Sequence, residues 1–408
     1  MKIEIAKNDL KETLDIANAT LGSGSDITSH FLFERIGENV FISSCNPPRV
    51  YSSIPLKHLK VEGTDSFTVE GKRFMSAVNA VNGLLKIELV EKQVKITSTK
   101  GTAEFPSLDP MVFPPWREML LECEPSGEVQ ASLIYDTLNV SRPYSSTDEQ
   151  RRPELCMVNF TGGKAFACDG FGLAMSKHQD FAGLEVKFHI KDVPSASKFL
   201  KAHDGNTLTF LKSEKAVFMK NDDGAVFGMM ALPFTMPAAI TQKYIDAFNW
   251  VPRRVWRIKK DELLNAIQFL TSGADDAVLK VTYTHPESET MALPRVEMPA
   301  ASGKGVMSYS LEEAPLSFEL KDDTDLDSIL DKGERLKASR LRQDKKGEGG
   351  EDIESFGFNH KFMKRALDVS DNIITFGCNK EGANRGYMLF SQVTSNGVEV
   401  VSILGWMV

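Results

Sequence analysis

Residues 127–138 read GEVQASLIYDTL, a strand that runs directly into an amphipathic helix, and this order returns elsewhere in the chain. It opens the sequence in MKIEIAKNDLKETL (1–14) and reappears in RVWRIKKDELLNAI (254–267). About halfway through each interval a second strand and helix follow, in SFTVEGKRFMSAV (66–78), VKFHIKDVPSASKFL (186–200) and SFGFNHKFMKRAL (355–367). Leu10, Leu14 and Ala17 share one helical face, and Phe74, Ala77, Val78 and Val81 share another. Most of these helical stretches end at Gly, Asn or Asp, as helix termini do.

Between the helices lie period-two strand blocks such as LLKIELVEKQVKITST (84–99), TLTFLKSEKAVFMKN (207–221) and NGVEVVSILGW (396–406). The order implies three copies of a unit built from two helices and two small antiparallel sheets, an α+β chain in three tandem domains. Polar or proline-bearing stretches, CEPSGE (123–128) and FNWVPRR (248–254), set the expected boundaries at 1–124, 125–249 and 250–408. One segment departs from the repeat. Residues 321–352, KDDTDLDSILDKGERLKASRLRQDKKGEGGED, are dense in both charge signs and poor in apolar residues, and read as a mobile loop or an exposed helix inserted in the third domain.

The 408 residues are 42% hydrophobic and 25% charged, the balance of a soluble globular protein. No apolar run approaches the ~18 residues a bilayer span needs, and the first residues alternate before turning amphipathic, so neither anchor nor signal peptide is expected and the location reads as cytoplasmic. The five cysteines, Cys45, Cys123, Cys156, Cys168 and Cys378, never form a C-x-x-C pair and read as small buried hydrophobes. The seven histidines show no metal-ligand spacing, so no metal or cofactor is expected. A net charge of -8 argues against broad neutralisation of nucleic-acid phosphates.

Enzymatic signatures are nearly missing. GSGSDI (22–27) lacks the third glycine of a dinucleotide fingerprint, and SGKGVM (302–307) lacks the upstream glycine and helix start of a phosphate-binding loop. In FACDGFGLAMSKH (166–178), Asp169 followed by two glycines fits a metal or phosphate site or an ordinary strand reversal. Asp169 has no evident catalytic partner, and the chain is expected not to be an enzyme.

RRPELCMVNF (151–160) and KAFACDGFGLAMSKH (164–178) resemble the middle domain of the bacterial replicative sliding clamp, the beta subunit of DNA polymerase III, where an R-P-x-L strand precedes a T-D-G-x-x-L-A turn. Further pieces are similar to that family in the same order. They are EFPSLDPMVFPPW (104–116), KYIDAFNWVP (243–252), FGFNHKFMKRAL (356–367) and VVSILGWMV (400–408). The resemblance implies three clamp domains per chain and a head-to-tail homodimer closed as a ring around duplex DNA. It implies a processivity factor that tethers DNA polymerase, is opened by a clamp loader and recruits other proteins carrying clamp-binding motifs. The alternative is a clamp-like scaffold for repair or recombination proteins.

By position, the family's hydrophobic peptide cleft would be lined here by Leu155, Cys168, Gly170, Phe171, Leu173, Ile245, Trp250, Leu404, Gly405 and Trp406. Ile245 stands where the family usually carries proline, and LGW replaces its M-P-M tail, which keeps the pocket apolar and reshapes it. A ring retains DNA by topology and needs only a mildly positive inner wall, so the acidic net charge is compatible with it. Phe362, Met363, Ala366 and Leu367 share one face of the last helix and leave Lys361, Lys364 and Arg365 on the other. Together with Lys72 and Arg73, Lys198 and Lys201, and Lys259 and Lys260 on other helices, they form the expected DNA-facing set.

Overall fold

Six amphipathic helices form where the periodicity places them. Lys7–Ala17 (α1) buries Leu10, Thr13, Leu14 and Ala17, one stripe at helical spacing, and Asp9 in its first turn complements the helix dipole. Gly71–Ala80 (α2) starts where the Glu70 carboxylate accepts the Arg73 N–H at 2.9 Å, and buries Phe74 and Val78. After the short helix Trp116–Leu121 (α3) come Ala131–Ser141 (α4) and Val193–Ala202 (α5), the latter with proline in its first turn and Val193, Ala196, Phe199 and Leu200 inward. Lys260–Thr271 (α6) carries Asp261 and Glu262 in its first turn and buries Leu263, Ala266, Ile267 and Leu270. In His360–Val369 (α7), Met363, Ala366 and Leu367 are buried as expected; the Phe362 side chain is outside the described set.

The computed structural model describes residues 1–24, 26–235, 254–272, 278–284, 295–299, 306–310, 316–320, 341–343, 353–369, 373–378 and 387–405. Its contacts divide the chain into two compact units. Unit 1 holds Met1–Leu138, Asn159–Gly163 and Gln179–Pro233, and unit 2 holds Asn139–Val158, Lys164–His178 and Phe234–Val408.

Unit 1 contains two antiparallel sheets. The first has five strands in the order Leu59–Glu62, Lys2–Ala6, Leu84–Val90, Gln93–Ser98 and Gly101–Pro106. The second has eight, in the order Glu124–Gln130, Thr207–Lys212, Ala216–Lys220, Val226–Met230, Val50–Pro55, Asn39–Asn46, His30–Ile36 and Phe67–Glu70. Phe74 of α2 lies edge-on to Phe33 of the second sheet at 5.7 Å and to Phe105 of the first at 5.8 Å, so one aromatic side chain ties both sheets to the helix.

Beneath the carboxyl end of α1 the core is polar. Ser44 and Ser52 are buried, each with its Oγ 2.6 Å from Thr20 Oγ1, and Ser44 Oγ donates to the Ala17 carbonyl at 2.5 Å. These hydroxyls satisfy one another and a helix-end carbonyl, which is the condition for burying them. Periodicity treats serine as surface, so nothing in the pattern foretells this cluster. Of the cysteines, Cys45, Cys156 and Cys168 are buried and Cys123 is half-buried, and burial pushes the Cys45 thiol up to about 12.

A second aromatic centre joins Leu32, Cys45, Tyr51, Phe113, Trp116, Ala216, Phe218 and Val226. Phe218 stands directly opposite Gly228 in the ladder, and a Cβ added to Gly228 would meet its ring at 2.3 Å. The ring is held from behind by Trp116, 6.4 Å away between centroids. Gly228→Ala is therefore expected to destabilise unit 1 by about 1–3 kcal/mol through overpacking, read as a lower urea midpoint at unchanged slope. A midpoint equal to that of the parent chain would show that Phe218 has room to move.

In unit 2, eight antiparallel strands follow one another as Lys164–Cys168, Gly172–Lys177, Glu399–Gly405, Tyr387–Val393, Ile373–Cys378, Arg254–Lys259, Leu316–Leu320 and Leu341–Gln343. A four-stranded sheet runs Val306–Ser310, Arg295–Pro299, Val278–Thr284 and Ile353–Asn359. The charged stretch 321–352, expected as a loop or helix, falls outside the described residues except for Leu341–Gln343, which instead forms an edge strand on Leu316–Leu320. Local composition underrates such a strand, because the neighbouring ladder supplies its hydrogen bonds.

Candidate functional site

Lys164–Cys168 and Gly172–Lys177 are paired so that Cys168 faces Leu173, and Asp169, Gly170 and Phe171 make the reversal between them. Asp169 Oδ1 accepts the N–H groups of Phe171 at 2.8 Å and Gly172 at 2.9 Å, an Asx turn that uses the short carboxylate as a backbone mimic. Gly170 sits at φ +92, a region an L side chain rarely adopts, and its N–H donates to Cys168 Sγ at 3.1 Å. The Arg152 guanidinium lies over this glycine, since a Cβ there would meet Arg152 Nη1 at 2.5 Å.

The turn has a dry base and an exposed tip. Leu155, Cys168 and Leu173 are fully buried, whereas Phe171 is 64% exposed. The last strand lies beside the turn, with Leu404 opposite Gly172 and Ile403 opposite Leu173, and Gly405 is the next residue. Seven of the expected pocket residues thus fall in unit 2, with Cys168, Gly170, Phe171 and Leu173 on the reversal, Leu404 and Gly405 on the strand beside it, and Leu155 elsewhere in the unit. Ile245, Trp250 and Trp406 lie outside the described residues.

The second carboxylate oxygen of Asp169 takes the guanidinium of Arg365 from α7. The Asp169 side chain is only 8% exposed, and the Arg365 guanidinium gives its second oxygen a partner there. Tyr144 is buried in the same unit, its phenol pushed up by burial, with Arg365 and Asp169 among the charges that act on it. Among the described residues no group of three or more His, Cys, Asp or Glu could hold a metal ion. With Oδ1 on the Phe171 and Gly172 amides and Oδ2 on Arg365, both oxygens of Asp169 are engaged in holding the turn.

The basic residues expected to face DNA are distributed over both units. Lys72, Arg73, Lys198 and Lys201 are exposed on α2 and α5, which both pack on α1 in unit 1. In unit 2, Lys259, Lys361 and Lys364 are exposed and Lys260 is half-buried, on or beside the packed pair α6 and α7. Arg365 is half-buried and points to Asp169. Sequence reasoning passed over Arg152 as a site residue, although it stands in the quoted RRPEL run; only the turn geometry shows its guanidinium over Gly170.

No protein-family model and no curated protein sequence matches the chain. Solved structures do. The DNA polymerase III beta subunit of Thermotoga maritima is similar with a TM-score of 0.71 at 15% identity, over 100% of this chain and 99% of that one. The DNA polymerase sliding clamp of Bacillus subtilis gives 0.72 at 16%, over 100% and 99%. This chain has the sliding-clamp fold. The Helicobacter pylori beta clamp bound to a DNA ligase peptide is similar with a TM-score of 0.69 at 16% identity, over 100% of both chains. At such identities the backbone is shared while most side chains differ.

Proposed function

We propose that the chain is a DNA polymerase processivity factor, a sliding clamp that encircles duplex DNA and tethers polymerase and other partners by short peptides. The observation that carries this reading is the rigid Asp169–Gly170–Phe171 turn, presenting an exposed phenyl over a buried apolar base, within a fold shared along the whole chain with sliding clamps. Three tandem domains, 1–124, 125–249 and 250–408, would each contribute two helices. Lys72, Arg73, Lys198, Lys201, Lys259, Lys260, Lys361 and Lys364 would face the duplex loosely enough to let it slide.

Ring closure would use edge strands. Gly101–Pro106 ends the five-stranded sheet of unit 1, and Val306–Ser310 ends the four-stranded sheet of unit 2. Pairing such edges head to tail between two copies gives a closed assembly and removes the aggregation hazard of an open edge. Phe269, 56% exposed on α6, which packs on Val306–Ser310, would add apolar area at that contact. The chain would perform no chemistry itself, a separate loader would open the ring, and its place would be the cytoplasm with the replication machinery.

The test is native mass combined with retention on DNA. A mass near twice 45.3 kDa, with a cognate loader giving retention on circular duplex that is lost when the circle is cut, is the expected result. A monomer retained on neither form with loader present overturns the reading. Retention without stimulation of any polymerase would instead favour a ring that serves repair or recombination proteins.

A further inference from the structure

We propose that Arg365 is a positioning residue of the peptide pocket, acting through Asp169 on the Gly170–Phe171 rim, and is not a phosphate contact; this rests on the clamp reading above. The basic residues of α7 look equivalent in sequence, and the fold separates them. Lys361 and Lys364 are exposed, whereas Arg365 is half-buried with its guanidinium on Asp169. The same carboxylate holds the amides of Phe171 and Gly172. One side chain therefore connects the helix expected to face DNA with the rim expected to face partners.

Charge explains why the connection matters. A carboxylate with 8% exposure that loses the guanidinium bonded to it is left with a buried oxygen short of its partner, and it is expected to turn towards water. That movement releases the Phe171 and Gly172 amides and frees the phenyl to reorient. Arg365 is itself 37% exposed, so solvent screens part of the effect. Arginine suits the role because its planar fork meets a carboxylate in a fixed orientation.

The experiment compares Arg365→Gln, Arg365→Lys, Asp169→Asn and the double variant Asp169→Asn with Arg365→Gln in the full chain. Three readouts are taken: amide exchange at Phe171 and Gly172, capture of the fluorescein-labelled ligase peptide that the Helicobacter pylori clamp binds, and retention on loaded circular DNA. Arg365→Gln is expected to speed exchange at both amides and weaken capture about tenfold, with retention changed less than twofold. Arg365→Lys should recover part of the loss. In the Asp169→Asn background, where Asn keeps an acceptor for the amides, Arg365→Gln should add nothing further.

Unchanged exchange and capture with lost retention would make Arg365 a phosphate contact and overturn the proposal. Equal losses in both backgrounds would also overturn it, because Asp169 would not be the intermediary. A parent chain that captures no peptide would overturn the pocket reading and this inference with it, a failure visible before any variant is compared.

Discussion

Trp116→Ala is expected to destabilise unit 1 by about 3–5 kcal/mol, the usual cost of truncating a buried tryptophan. The indole is 2% exposed and lies in the cluster of Leu32, Cys45, Tyr51, Phe113, Ala216, Phe218 and Val226. The Arg117 guanidinium sits 4.4 Å from the indole centroid while bonding the Glu34 carboxylate at 2.5 Å, so truncation also removes the surface on which that ion pair rests. For a unit of this size the melting transition should fall by about 6–20 °C. Trp116→Phe should cost clearly less, since much of the volume is kept. A fall of under about 1 °C for the alanine variant would mean that the extended 104–116 segment does not anchor the unit.

Phe171→Ala should have the largest effect on partner capture, weakening it by about 1–4 kcal/mol, a fivefold to roughly thousandfold change in Kd. A phenyl group left 64% in water forgoes much of the stabilisation that burying it would bring. The backbone beneath is fixed by the Asp169 carboxylate and by full burial of Cys168 and Leu173, so little ordering remains to be done when a peptide covers the ring. Because the side chain is exposed, thermal stability should move by no more than about 0.5 kcal/mol. Titration of the labelled ligase peptide into parent and variant checks the first number, and a thermal melt checks the second. Equal affinity for both chains would remove Phe171 from the pocket.

Much of the architecture is legible because helices and strands impose different periods on the sequence. The faces of α1 and α7 could be read from apolar spacing, and the structure buries Leu10, Leu14, Ala17, Met363, Ala366 and Leu367 as that spacing requires. The strand–helix order occurs six times along the chain in the described elements. The Asp-Gly reversal was also readable, as one of the commonest ways to turn a strand.

The serine and threonine cluster below α1 was not readable, since a hydroxyl is buried only where distant atoms satisfy it, and those of Thr20, Ser44 and Ser52 meet across 24 to 32 residues of chain. The edge strand Leu341–Gln343 was hidden in a charged run for a similar reason: the ladder partner at Leu316–Leu320 supplies what the local sequence lacks.

The same division holds at the site. Sequence alone determined the repeat, the apolar faces, the Asp-Gly turn and the grouping of basic residues on helices, all of which depend on neighbours within a few positions along the chain. Tertiary structure decided the roles. Asp169 and Arg365 are 196 residues apart, and only folding makes one the countercharge of the other. It also lays Arg152 over Gly170 and leaves Phe171 in water above a buried base. Burial and pairing of charge are set by atoms that the fold brings close, and spacing in a sequence carries no record of them.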